Sequence, residues 1–578
     1  MLEKHLRAYT KKNTTDYFIH KDLKGFLTRE LDFYIKNEVF HLDDLGTEHE
    51  VGVEQYVSRV RVMKSICLKV IDFLAQIEDF QKMLFEKKKF VVRTDYCMTL
   101  DNVPEELYGQ ILGNEAQLEE WRALYGIGEE KQQSITSFGS EGIDEEYLKE
   151  HPYLVLDTKF FDQKFKDRLL GSFEGLDEAT GGLMVNSENW QALNLMQEKY
   201  HEKVKCIYID PPFNTGEDEF IYKDSYQHSS WLSMMENSIT KSLSLCKQEC
   251  PTFLQIDDNE LRNVYCLLNH TFTQDNYIAT FIWEKRTTRE NRRVFSFNHD
   301  FILCFAINKS TFEEIRNPLP LTEEVLDRYS NPDNDSRGKW QSVSLNAQAG
   351  HATPDQFYTT VTPSGRELDP PPGRCWSVTR LRLEELIEDN RIWFGTDGNN
   401  VPRLKKFLSE SNEGLTPHTL WKAGEVGTTD SARKYLIHIS NKFSVFETPK
   451  PLELLSRILS ISTNKDTSDI TLDYFAGSGS TGHAILDLNK KDDGNRKYIL
   501  VEMGNYFDTV LKPRIQKVMY SNNWKDSKPQ SNDGFSHIFK YQTLEQYEDT
   551  LNNIEFTESG TVQRTLADMD GYFLRYML

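Results

Sequence analysis

Residues 207–213 read Ile-Tyr-Ile-Asp-Pro-Pro-Phe, an apolar run that ends in an acid, two prolines and an aromatic ring. The run reads as a strand. In an open α/β sheet, ligands bind beyond the carboxyl ends of the strands, which is where Asp210 would lie. Consecutive prolines remove two backbone donors and restrict the loop, so nearby carbonyls are left to accept hydrogen bonds. A carboxylate, a carbonyl and a flat ring suit an aromatic amine: two acceptors for its N–H groups and a surface to stack on. The bland alternative is a turn that ends a strand, since Asp-Pro is common in turns. Residues 369–372, Asp-Pro-Pro-Pro, have the acid and prolines without a strand before or a ring after, and read as a turn only.

A second motif, Leu472-Asp-Tyr-Phe-Ala-Gly-Ser-Gly-Ser-Thr-Gly482, is a strand feeding a glycine turn, with Ser480 or Thr481 placed to cap a helix. Gly477, Gly479 and Gly482 satisfy the G-x-G-x-x-G spacing, and Glu502 follows the next strand. Taken alone, this is a dinucleotide fingerprint and keeps an NAD-dependent oxidoreductase in play. Fewer than a hundred residues follow Gly482, however, so such a domain would have to be permuted. Asp473 and Phe475 ahead of the glycines suit an uncharged nucleoside-type ligand better than a pyrophosphate, which wants bare backbone at a helix N-terminus.

These two motifs need a sheet to hold them, and the chain has room for one. Its 578 residues predict three to four domains. The formal charge of −22 excludes a general polyanion binder, so any nucleic acid must meet a local basic face. No apolar run is long enough to span a bilayer, and the first residues lack the apolar stretch of a signal peptide. With eight cysteines too sparse for a disulfide framework, the expectation is a soluble cytoplasmic protein. Cys246 and Cys250 are the one close-spaced pair, without further ligands at zinc-site spacing, so no metal is expected.

Residues 1–150 read as a helical N-terminal domain with an acidic connector; residues 101–150 hold 13 acids against three bases. Ile66, Val70, Phe73, Ile77, Phe80 and Leu84 recur at gaps of four and three. The stripe is shorter than a sustained coiled coil and predicts a packed core helix. Residues 151–310 alternate strands and helices and contain Asp210. Residues 311–445 lose that rhythm and read as an insert. Residues 446–545 hold the glycine loop, and 546–578 form a tail that ends on an apolar run.

The order of these motifs resembles the β-class amino-methyltransferases that modify DNA, above all the Mod subunit of Type III restriction-modification systems and related stand-alone adenine enzymes. Ser187-Glu188-Asn189, the stretches 220–226 and 230–235, Ile256-Asp257-Asp258-Asn259-Glu260, Arg391–Gly395 and Phe446–Pro451 carry the same likeness. The resemblance covers roughly residues 155 to 510. It implies a permuted, Rossmann-like S-adenosylmethionine-dependent α/β sheet, with a target-recognition region in the insert.

The resemblance further implies a catalytic Asp210-Pro211-Pro212-Phe213, with an acid at the first position favouring adenine N6 over cytosine N4. Asp473, Phe475, Gly477 and Gly479 would hold S-adenosyl-L-methionine, Glu502 its ribose hydroxyls, Lys450 its carboxylate and Glu188 the neighbourhood of its adenine. The expected partner is DNA, with a homodimer and a helicase-nuclease restriction subunit as further candidates. Lys285, Arg286, Arg289, Arg292 and Arg293 crowd nine residues with Glu290 as the one acid, and beside such a sheet they suit phosphate contact. Residues 281–450 carry 23 bases and 23 acids, so the net charge lies outside that segment. The rival to a working enzyme is a DNA-binding subunit that keeps the fold without turnover. No Walker A sequence occurs, so ATP-driven translocation is not expected of this chain.

Overall fold

A computed structural model describes residues 22–39, 53–127, 143–215, 227–289, 294–410, 414–440, 442–443 and 446–546. Among these, no helix is long and apolar enough to cross a membrane. The chain forms two compact units: residues 317–418, and the remainder on either side of them.

The larger unit is built on one eleven-stranded sheet. Its strands are β1 (Val91–Thr99), β2 (Val155–Asp157), β3 (Gly182–Asn186), β4 (Val204–Ile209), β5 (Pro251–Ile256), β6 (Tyr277–Glu284), β7 (His299–Ala306), β8 (Leu420–Trp421), β9 (Ile470–Asp473), β10 (Lys497–Glu502) and β11 (Ile538–Leu544). They lie in the order β8-β6-β7-β5-β4-β9-β10-β3-β11-β1-β2. The run from β5 to β11 is parallel, and the flanking pairs β5–β7, β6–β7, β1–β11 and β1–β2 are antiparallel. The central strands are buried almost throughout, as parallel strands covered on both faces must be.

Four crossovers bear on the site. Helices α3 (Asn189–Met196), α4 (His228–Leu243) and α5 (Leu261–Phe272) follow β3, β4 and β5, and α7 (Ser480–Asp492) follows β9, with α6 (Leu452–Ser462) just before it. The chain leaves β4 toward β5 on one side and leaves β9 toward β10 on the other. Adjacent strands that diverge in this way create a crevice at their carboxyl ends. Asp210 and Asp473 stand at that switch point, although 263 residues separate them. This is the permuted arrangement that the late glycine loop predicts.

Two expectations for the N-terminal 150 residues are corrected. Residues 91–99 are not helical but form β1, paired along its length with β11 more than 400 residues later. An alternation is masked there because the strand is buried on both faces from Asp95 onward. The stripe on α2 (Val53–Glu86), which pairs with α1 (Leu23–Tyr34), is not a core: Ile66, Val70, Phe73 and Ile77 are 44–62% exposed. Ile71 and Ala75, on a neighbouring row, are the buried ones, and the ion pairs Lys24–Asp72 (2.8 Å) and Lys64–Asp32 (2.9 Å) join the two helices. Periodicity identifies a shared face but not which face the chain covers. The side chains of Phe80 and Leu84 lie outside the described residues.

The smaller unit consists of short antiparallel pairs and one nine-residue helix, Arg380–Glu388, around Leu345, Trp376, Leu383, Leu386, Ile392 and Phe394. Lys405, almost wholly buried there, is neutralised by Asp333 and by Asp335 at 3.2 Å. Its bounds are narrower than the 311–445 read from the sequence, because residues 419–445 carry β8 and the helix Thr429–Ile439 of the larger unit.

Candidate active site

β4 ends at Ile209 and delivers Asp210 into the crevice. The carboxylate is largely withdrawn from solvent, which pushes its pKa up from the ordinary carboxylate value; Lys450 opposes that rise and Asp300 adds to it. Lys450 Nζ donates to Asp210 Oδ2 and lies 5.5 Å from the Phe213 ring centroid. Oδ1 of Asp210, also buried, has no hydrogen-bond partner among the described residues. A buried acceptor without a donor is costly, and Oδ1 is left able to accept a hydrogen bond from a ligand.

The Pro-Pro loop is fixed by groups that no motif announces. Trp231 of α4, wholly buried, donates its indole N–H to the Pro212 carbonyl at 2.8 Å. No group among the described residues donates to the Pro211 carbonyl. Asn214 has a left-handed φ of 60° and donates to Glu260 Oε1 at 2.6 Å. Glu260, buried at the end of the β5 loop, is shared with His228 (2.6 Å) and Asn263 (2.7 Å). Beneath Asp210 runs a second polar chain: Tyr208 donates to Gln255 (2.8 Å), and Gln255 donates to Asp300 (3.1 Å).

The glycine loop lies beside it, on β9. Gly477 and Gly479 have φ of 54° and 79°, a region that L side chains avoid. A Cβ on Gly477 would lie 2.9 Å from the Phe446 ring, so the backbone is kept bare by packing as well as by conformation. Asp473 accepts from the Phe475 N–H (3.0 Å) and the Thr481 hydroxyl (2.6 Å). Glu502, at the end of β10, accepts from the Gly477 N–H (2.9 Å) and the Gly504 N–H (2.8 Å). Burial raises both carboxyls to about 7. From below, the buried Arg514 donates to the Ser478 hydroxyl (3.0 Å), the Ser480 hydroxyl (2.8 Å) and the Ser478 carbonyl (3.2 Å), bracing the turn.

The structure therefore brings Asp210, Pro211, Pro212, Phe213, Lys450, Asp473, Phe475, Gly477, Gly479 and Glu502 to one edge of the sheet. Lys450 sits on Asp210, where its ammonium offsets the cost of withdrawing that carboxylate from water. Glu188 caps α3 by accepting from the Gln191 N–H at 3.1 Å, at the end of β3 next to β10. Lys285 is engaged within the fold. Its ammonium is held by the buried Asp300 at 2.6 Å, whereas Arg286 and Arg289 are exposed. Arg292, Arg293 and the stretch 220–226 lie outside the described residues. Trp231, Glu260, Asp300 and Arg514 were missed; the stretches around Trp231 and Glu260 are visible in the sequence, but their hydrogen bonds are not.

Comparison with known proteins agrees with this geometry. The profile of the family described as DNA methylase matches residues 204–512, more than half of the chain. The StyLTI Mod subunit of a Type III restriction-modification enzyme from Salmonella typhimurium (strain LT2) is 27% identical over 425 residues, covering 66% of this chain and 63% of that one. The EcoPI Mod subunit from Escherichia phage P1 is 27% identical over 379 residues, covering 55% and 57%. The Type II methyltransferase M.KpnI from Klebsiella pneumoniae is 24% identical over 360 residues, covering 58% and 83%. The chain thus spans less than two thirds of the length of these Mod subunits. On the family match, with both motifs inside it and both at the crevice, the chain belongs to the DNA methylase family.

Proposed function

We propose that this chain is a site-specific DNA methyltransferase that transfers a methyl group from S-adenosyl-L-methionine to adenine N6, as the modification arm of a restriction-modification system. The observation that carries this reading is the buried, partnerless Oδ1 of Asp210 beside a bare glycine loop. The loop fits such a cofactor: two left-handed glycines, and two acceptors, Asp473 and Glu502, whose carboxylates are already oriented by backbone N–H groups. Asp473, Phe475, Gly477, Gly479 and Glu502 would hold it, with Glu188 at the neighbouring strand end. When bound, the cofactor supplies an electrophilic methyl group.

The chain's own residues do the rest. An exocyclic amine is a poor nucleophile because its lone pair is delocalised into the ring. Asp210 Oδ1 and the Pro211 carbonyl accept its two hydrogens and localise that pair. Phe213 offers a stacking face, worth roughly 1–3 kcal/mol per base. Lys450 opposes the effect of burial and so favours the anionic form of Asp210 that can accept. The geometry also demands that the base leave the duplex, because a buried acceptor cannot reach one inside it. Arg286 and Arg289 provide cationic contacts for phosphate, and residues 317–418 are the region to which target recognition is assigned. A restriction subunit is the partner that the name Mod subunit of the relatives suggests, and a homodimer is a further proposed assembly.

The test is transfer of labelled methyl from S-adenosylmethionine to methylation-free DNA, followed by digestion to nucleosides, with Asp210→Ala as control. Label in N6-methyl-2′-deoxyadenosine with the wild type alone supports the reading. Label in a cytosine nucleoside refutes the base assignment, and cofactor binding without transfer favours a non-catalytic subunit.

A further inference from the structure

Among the described residues between β6 and β7, apolar side chains are exposed within a few positions of cations. Val294, Phe295 and Phe297 are 92%, 77% and 47% exposed. Scattered surface hydrophobics are ordinary, but three within four residues at one hairpin mark a contact surface. The opposite limb carries the exposed Arg286 and Arg289, and Glu290 is the one acid between Lys285 and Asn298.

The base of this hairpin is tied down. Glu284 pairs with His299 across the strands, and the Asn298 side chain donates to the carbonyls of Arg286 (3.1 Å) and Thr288 (3.0 Å). Its direction follows from topology. β7 runs antiparallel to β5, with Phe301 opposite Ile256 at the carboxyl end of β5. The hairpin therefore leaves the sheet on the edge to which β4 delivers Asp210. Asp300 and Lys285, at its base, are among the charges that act on the Asp210 carboxylate.

We propose that Phe295, flanked by Val294 and Phe297, is a wedge that enters the DNA base stack when the target base is extruded toward Asp210. This rests on the methyltransferase reading above and adds the element that stabilises the emptied duplex. Extrusion leaves a gap between neighbouring base pairs, and an apolar ring recovers the stacking lost there. The arginines draw the hairpin to the phosphates.

The test begins by sequencing the methylated site in the wild-type product. A short duplex of that site is then made twice, fully paired and with a mismatch opposite the target adenine. Phe295→Ala should lose about 10–100-fold in single-turnover rate on the paired duplex and recover to within about threefold of wild type on the mismatch, where extrusion is already easier. Phe295→Leu, which keeps an apolar wedge, should retain most of the rate on both. Equal loss on the two duplexes, or no loss on either, would overturn the proposal while leaving the methyltransferase reading intact. A changed oligomeric state of DNA-free Phe295→Ala would assign the patch to a protein interface and overturn it too. Failure of the wild type to methylate any DNA would instead refute the underlying reading.

Discussion

If Asp473 and Glu502 hold the cofactor as proposed, its binding should depend on pH in a direction that can be worked out. Both carboxyls are raised to about 7 by burial in the ligand-free protein, despite the N–H groups that donate to each and the Thr481 hydroxyl that donates to Asp473. A raised acid pKa stabilises the fold fully below the unfolded value, and that contribution is lost as pH climbs through the folded value. The ligand-free protein should therefore lose thermal stability as pH climbs from the unfolded carboxyl range toward about 7, and level off above it. A cationic ligand, or one that needs a strong acceptor for its hydroxyls, favours the ionised carboxyls and should release protons on binding. The ionised fraction of a group at about 7 rises from about 0.1 at pH 6 to about 0.75 at pH 7.5, so each should tighten Kd by up to about eightfold. Calorimetric titration of S-adenosylmethionine over this range, in two buffers of different ionisation enthalpy, measures both the tightening and the protons released. Asp473→Asn and Glu502→Gln should each remove one part of the dependence. A Kd that is flat within twofold, or tighter at pH 6, would refute the assignment of these carboxyls to the cofactor.

Lys450→Met removes the cation from Asp210, so burial goes unopposed and the carboxyl rises further; the acid limb of kcat/KM should move to higher pH, with about 10–100-fold lost at pH 7. Lys450→Arg, which keeps the charge, should restore the pH profile more than the rate. Trp231→Phe keeps the buried ring but orphans the Pro212 carbonyl, at a cost of about 1–3 kcal/mol. Its signature is a lowered kcat with S-adenosylmethionine affinity unchanged, measured by single turnover and calorimetry. Gly477→Ala forces a side chain into left-handed backbone and against Phe446, and should weaken cofactor binding about tenfold or more, with circular dichroism confirming the fold.

The parts of the site that could be read from the sequence are those built from consecutive residues. Asp210-Pro211-Pro212-Phe213 and the glycine loop each place a strand end, an acceptor and a ring within a few positions, and local chemistry determines what they can do. The permutation was legible too, because Asp210-Pro211-Pro212-Phe213 precedes the glycine loop in the chain. What could not be read depends on pairings distant in sequence. Lys450 finds Asp210 across 240 positions, and β1 finds β11 across 440 or more. Lys285 shows the same limit: a run of basic residues does not disclose that one member is claimed by a buried carboxylate fifteen positions away. The exposed face of α2 was misjudged because a helical stripe records amphipathicity, and burial depends on what the rest of the chain brings to it.

The central claim is that Asp210 acts on the amine and not on the cofactor. Asp210→Asn keeps the side-chain volume, replaces one acceptor oxygen by a donor and removes the charge that Lys450 neutralises. With saturating S-adenosylmethionine and DNA, single-turnover methyl transfer by this variant should fall at least about 10³-fold, while cofactor affinity stays within about threefold of wild type. A transfer rate within tenfold of wild type, or an equal loss in cofactor affinity, would contradict the account.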